Sequence, residues 1–213
     1  MAADSYTALV EEIEASQAEP KGADVDVTRV SRMALRDGAI ALAALSIWAA
    51  ADAWYAATGL RAAALLSALN GLAVGYGLAL LAHEWGHFAG ARWGGGIAPT
   101  TKFTQLFPIF LLDMQRSPER AFKAMSVGGN IAHWSIAALF FLWVPLDAPG
   151  RVALGCGAFA FAFGASTTEF PVIGRSFGGA SPVESFRGLT GAKLRRNRWI
   201  GYAAGAVLFA LIA

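Results

Sequence analysis

AAALLSALNGLAVGYGLALLAHEWGHFAG, residues 62–90, decides the fold. From Ala62 to Ala82 it carries no Lys, Arg, Asp or Glu. A bilayer core of ~30 Å takes about 20 apolar residues in a helix, so this stretch predicts a membrane span. It ends on two histidines and a glutamate instead of more hydrocarbon. Working outward, further apolar segments predict helices at 38–58, 127–146, 152–173 and 199–213, the last shorter than a full span. Residues 97–112 are apolar too, but Pro99 and Pro108 break them. That pattern predicts a re-entrant hairpin, tolerated at membrane depth when protein surrounds it. The expected fold is an all-α integral membrane protein. It has about five transmembrane helices and a re-entrant hairpin after the helix of residues 62–90.

Composition agrees with a bilayer as solvent. Of 213 residues, 56% are hydrophobic and 15% charged, against about 25% charged in a soluble domain. The charges gather in residues 1–37 and 175–198, which sets a polar N-terminal segment, 1–37, apart from a membrane domain, 38–213. With the N-terminus inside, the alternating spans put only Arg61 and Arg151, of seventeen Lys and Arg, in outer loops. This asymmetry obeys the positive-inside rule. It predicts a bacterial inner (cytoplasmic) membrane protein with a cytoplasmic N-terminus. The net charge of +2 argues against a nucleic-acid surface. The acidic, polar start lacks the layout of a cleaved signal peptide. Tyr6, Leu9, Val10 and Ile13 recur at helical spacing and predict a short amphipathic helix, followed by a linker at 17–27. Cys156 stands alone in an apolar run and reads as a buried thiol.

His83-Glu84-Trp85-Gly86-His87 carries the chemistry. Histidines four apart lie on one helix face, one turn apart, where two imidazoles can grip a tetrahedral metal. Glu84 falls on a neighbouring face, placed to take a proton from a water that the metal polarises. The chain has three histidines, so this spacing is not a product of abundance. Ionisable groups in an apolar helix default to a functional reading.

From His83 to Gly94 the order is H-E-x-G-H, then Ala91, then Gly94. This resembles the site-2 proteases, intramembrane zinc metalloproteases. The resemblance covers roughly residues 80–179. It implies Zn²⁺ held by His83 and His87, with Glu84 as catalytic base. It also implies a membrane-inserted hairpin, matched by 97–112, and a basic stretch, matched by Arg116 to Lys123. The next helix opens on Gly129-Asn130-Ile131-Ala132-His133 where the family has a G-P-x-x-N-like sequence. The family's third ligand is an aspartate in an N-x-x-P-x-x-x-x-D-G-like pattern. Thr168 and Pro171 align with its Asn and Pro, but its Asp falls on Ser176, and neither Ser176 nor Phe177 is a substitute ligand.

Depth supplies replacements. At 1.5 Å per residue, Glu169 and His133 stand within about two helical turns of the level of His83 and His87. Glu169 is the sole acidic residue of its span, where a lone carboxylate needs a partner. Glu169 is therefore the candidate third ligand and His133 the alternative. The other role open to His133 is stabilising an oxyanion or supporting a ligand from behind.

The remaining polar residues carry less. Asp52 is expected to be solvated at the outer interface and Asp113 to be a solvated loop charge. Asn70 reads as helix–helix glue. Trp93, Trp134, Trp143 and Trp199 read as interfacial or packing aromatics, and Arg195-Arg196-Asn197-Arg198 as a positive-inside anchor. The expected function is hydrolysis of peptide bonds in transmembrane or membrane-proximal segments of a membrane protein substrate. The alternative is an inactive, protease-like scaffold that keeps the zinc site and binds a partner helix. Three histidines are too few for a di-iron membrane hydroxylase.

Overall fold

The computed structural model describes residues 27–213. The amphipathic helix predicted around Tyr6 to Ile13 lies outside the described residues, as does the linker up to residue 26. Within them the chain is helical: α1 Val27–Thr58, α2 Arg61–Trp93, α3 Glu119–Trp143, α4 Pro149–Phe177, the single turn α5 Pro182–Ser185, and α6 Gly191–Ile212. No β-strand forms among the described residues, only an isolated antiparallel bridge between Thr100 and Phe110. α1, α2 and α3 are long and apolar enough to cross a membrane. The segments predicted at 152–173 and 199–213 fall on α4 and α6. α1 starts at Val27, so the polar/apolar boundary at residue 37 lies inside one continuous helix.

Large apolar side chains face outward, as a hydrocarbon solvent requires. Leu42, Ile47, Leu65, Ile131, Leu142 and Leu211 are all exposed. Such a surface exceeds what a monomer tolerates in water. α4 is the interior helix and is buried without a break from Val152 to Ala158. Its Ala- and Gly-rich sequence lets neighbours pack against every side.

In lipid, helices gain little from the hydrophobic effect and associate through close packing of small residues. A Cβ on Gly71 would collide with the carbonyl of Gly150, and one on Gly75 with that of Leu154, so α2 and α4 run parallel in contact. A Cβ on Gly86 would strike Gly128, and one on Gly90 would strike Ala124, so α2 and α3 are antiparallel. A Cβ on Gly201 would meet Ala160, which joins α6 to α4.

Polar contacts pin the two ends of α1. Toward its N-terminal end, Trp85 Nε1 donates to Asp37 Oδ2 at 3.0 Å. Toward its C-terminal end, Asp52 is 6% exposed and is not solvated as expected. It accepts from Arg151 Nε at 2.8 Å and from Ser67 Oγ at 3.2 Å. Arg151, which the sequence puts in an outer loop, reaches back over the start of α4 to neutralise it.

Residues 97–113 fold back on themselves. Thr101, Leu111 and Asp113 donate their N–H groups to the carbonyls of Ile109, Pro99 and Ile97 at 3.0, 3.0 and 2.9 Å. Ala98, Ile109, Phe110 and Leu112 pack into a core with Met33 of α1, Phe88 and Ala91 of α2, and Phe122 of α3. Arg36 of α1 holds the tip, donating to the carbonyls of Phe103 and Gln105. Asp113 closes the base and, against expectation, is buried. Burial pushes its carboxyl up, but the backbone N–H and guanidinium of Arg116 and the N–H of Gln115 outweigh it and hold the carboxyl below the usual range.

Candidate metal centre

Three helices build the centre. α2 presents His83 and His87 one turn apart, α4 presents Glu169, and α3 backs them with Asn130 and His133. The close α2–α3 approach leaves room for His87 because residue 129 is glycine, where a Cβ would run into the imidazole. Glu169 Oε1 lies 3.0 Å from His87 Nε2 and 3.2 Å from His83 Nε2. These three residues form a group whose ligand atoms all lie within 4.8 Å of one another.

The hydrogen bonds around them fix where each proton sits. The carbonyl of Met125 only accepts, so His87 Nδ1, 2.7 Å away, carries hydrogen. Asn130 Nδ2 faces the carbonyl of Ser126 at 3.2 Å and Glu169 Oε2 at 2.5 Å, both acceptors, which orients the amide. Asn130 Oδ1 therefore accepts from Ser166 Oγ at 3.1 Å. Trp134 Nε1, which only donates, points at the same Ser166 Oγ at 2.9 Å. The hydroxyl proton of Ser166 is spent on Asn130, so His133 Nε2, 3.3 Å away, must donate to it. His133 Nδ1 is then an acceptor, and His83 Nδ1 donates to it at 2.9 Å. These tautomers are assigned from the network: that of His87 directly by the Met125 carbonyl, and those of His133 and His83 in turn from the Trp134 and Asn130 bonds to Ser166.

The assignment leaves Nε2 of both His83 and His87 as bare lone pairs aimed at one carboxylate oxygen. A proton on His87 would relieve one of the two contacts and leave the other unrelieved. A cation among the three satisfies all of them. Ligands at 2.0–2.2 Å on a tetrahedral ion stand about 3.3–3.5 Å apart, close to the separations found here. The residues therefore fit a divalent metal, and two imidazoles with one carboxylate are a common hydrolytic set. Without a cation the partly buried carboxylate of Glu169 would face two lone pairs, and an uncompensated buried charge costs several kcal/mol.

Glu84 is half-buried and has no hydrogen-bond partner among the described residues. It lines a cavity of ≈ 530 Å³ with His83 and Glu169, enclosed by Tyr76 and Leu80 of α2, Phe161 and Thr168 of α4, and Leu194, Arg198 and Tyr202 of α6. The space beside the triad therefore opens on its Glu84 side. Phe161 packs edge-on against His83 and His133 at 5.2 and 5.7 Å between ring centres and shields the network behind them.

The structure thus brings together the residues singled out from sequence, in two layers. His83, His87 and Glu169 converge. His133 is fully buried, has both ring nitrogens engaged, and lies behind His83 away from the cavity. Ser176, at the aspartate position of the family pattern, is buried and outside the group. Sequence reasoning gave no role to Ser166 or Asn130 and read Trp134 as an interfacial or packing aromatic. Ser166 lies three residues before Glu169 on one face of its helix, and Asn130 three before His133 on one face of its own, but neither spacing names the partner on the other helix. Comparison of the chain with family models, with curated proteins and with solved structures finds no match.

Proposed function

We propose that the protein is an intramembrane zinc metalloprotease of the site-2 type, cutting transmembrane or membrane-proximal peptide segments. One observation carries this reading. Two imidazole nitrogens and a carboxylate oxygen converge beside a cavity lined by His83, Glu169 and a Glu84 that has no side-chain hydrogen-bond partner among the described residues. A zinc ion at the triad would supply Lewis acidity, bringing the pKa of a coordinated water toward 7. Glu84 takes the proton from the attacking water on its carboxylate and hands it to the leaving amine nitrogen. His133 keeps His83 in the tautomer that ligates, and Asn130 does the same for Glu169 by holding Oε2. Glu84 beside the triad favours hydrolysis over the oxygen chemistry of iron bound by two histidines and a carboxylate.

In this reading α4 and α6 complete five spans, residues 97–112 form the re-entrant hairpin, and the centre lies toward the cytoplasmic side of a bacterial inner membrane. A hairpin of this kind could take a substrate strand by strand addition. Its tip is tied to Arg36, however, and the room beside Glu84 lies between α2, α4 and α6. Substrate access is therefore assigned to the α4–α6 side. A locally unwound segment fits such a cavity and a folded domain does not.

The test is Glu84→Gln in the full chain, reconstituted in vesicles with a model transmembrane peptide. Metal content should be unchanged while cleavage falls about 10²–10⁴-fold, the usual worth of a general base. Undiminished cleavage would remove Glu84 from the mechanism. The rival is the inactive scaffold, in which a proton on His87 partly closes the circuit. Tight metal without hydrolysis in the unaltered chain selects that rival.

A further inference from the structure

The basic run of α6 reads from sequence as a membrane anchor, yet its members face different ways. Leu194, Arg198 and Tyr202, spaced four apart, form one stripe along α6, and this stripe lines the cavity. Arg195 and Arg196 do not line it, and Arg196 turns to Asn197 Oδ1 at 3.4 Å. Among the described residues no carboxylate lies within ion-pair distance of Arg198. Among the described residues it is the one Lys or Arg in the cavity lining, which also holds Glu84 and Glu169.

Charge decides what belongs there. A dication with the carboxylates of Glu84 and Glu169 sums to zero, so Arg198 leaves the loaded cavity with one positive charge. A guanidinium matches a planar carboxylate through two parallel N–H bonds. Tyr76 and Tyr202, whose ring centres lie 5.6 Å apart in the cavity lining, add hydroxyls that can orient it.

We propose that Arg198 binds a carboxylate of the peptide substrate, from an acidic side chain or a free C-terminus, so the cavity selects segments with negative charge beside the scissile bond. This rests on the protease reading for its substrate class but not for its test. The test measures binding of fluorescent transmembrane peptides to the metal-loaded full chain carrying Glu84→Asp, which keeps the charge of the cavity and draws the carboxylate back from the reacting water, in vesicles of zwitterionic phosphatidylcholine. Four peptides are compared, with internal Asp or Asn and with a C-terminal acid or amide, which separates the two carboxylate sources.

At least one anionic peptide should bind about tenfold tighter than its neutral twin, the scale of a charged hydrogen bond. Adding Arg198→Ala should erase that preference, Arg198→Lys should retain part of it, and Arg198→Glu should shift it toward a Lys-bearing peptide. Unchanged metal content and thermal unfolding show that each variant is folded. A preference that survives Arg198→Ala overturns the proposal. So does an Arg198 effect that follows the fraction of anionic lipid and ignores peptide charge, which would assign the residue to a phosphate headgroup. Cleavage by the chain with Glu84 intact is read separately. Charge-selective binding without hydrolysis removes the protease reading and leaves the subsite. Hydrolysis without charge selection removes the subsite alone.

Discussion

His87 has little freedom. Its Nδ1 is committed to the carbonyl of Met125, so its other nitrogen can serve the centre only as a lone pair. The orientation of His83 depends on a longer chain, through His133, to Ser166, to Asn130 and back to Glu169. Ser166 is its junction, accepting from two rings and donating to one amide. Replacing it with alanine strands the N–H of both His133 and Trp134 while every proposed ligand stays in place. Metal affinity of Ser166→Ala, measured by competition with a chelator, should fall about 10–100-fold, as when such supporting partners are lost. An unchanged affinity would show that the ligands need no support from α3. Spacing made His83, Glu84 and His87 legible, and isolation in an apolar span made Glu169 legible. Ser166 was not, because a serine in a membrane helix usually bonds its own backbone, and its partners here come from another helix.

At the scale of elements, glycine sets the distance between α2 and its neighbours. Gly90 abuts the carbonyl of Ala124 with no space for a methyl group, whereas a Cβ on Gly77 of the same helix would meet nothing within 4 Å. Gly90→Ala should therefore push α3 away and cost about 1–3 kcal/mol, lowering metal affinity along with stability. Gly77→Ala should be neutral or should stabilise by up to about 1 kcal/mol, because alanine is the better helix former. Unfolding in mixed micelles compares the two, and equal effects would mean the α2–α3 contact is not set by glycine. Sequence showed these helices through unbroken apolar runs and marked 97–112 as broken through Pro99 and Pro108. It did not show α4 as the interior helix, since burial on every side and exposure to lipid on every side read alike when both surroundings are apolar.

For the whole molecule, the alternating helices put the α3–α4 loop and the α4–α5 loop at opposite ends. Cys156 is fully buried and silent, so single added cysteines can report sidedness. In intact cells, Asp147→Cys should react with a membrane-impermeant thiol reagent, and Ser181→Cys should react only after permeabilisation. The reverse pattern would invert the proposed orientation, and equal labelling would remove the α4 span.

The amino-acid order alone determined that this chain is built of apolar helices and that a pair of histidines at metal-ligand spacing stands near the end of one. Both are local properties, one of hydrophobic length and the other of helical spacing. Only the tertiary structure decided that Glu169 completes the group, that His133 stands behind it, that Asp52 is neutralised by Arg151, and that Arg198 faces the cavity. Each of these joins residues on different helices. Such pairings depend on helix rotation and on which faces meet, and within an apolar medium the hydrophobic pattern leaves both undetermined.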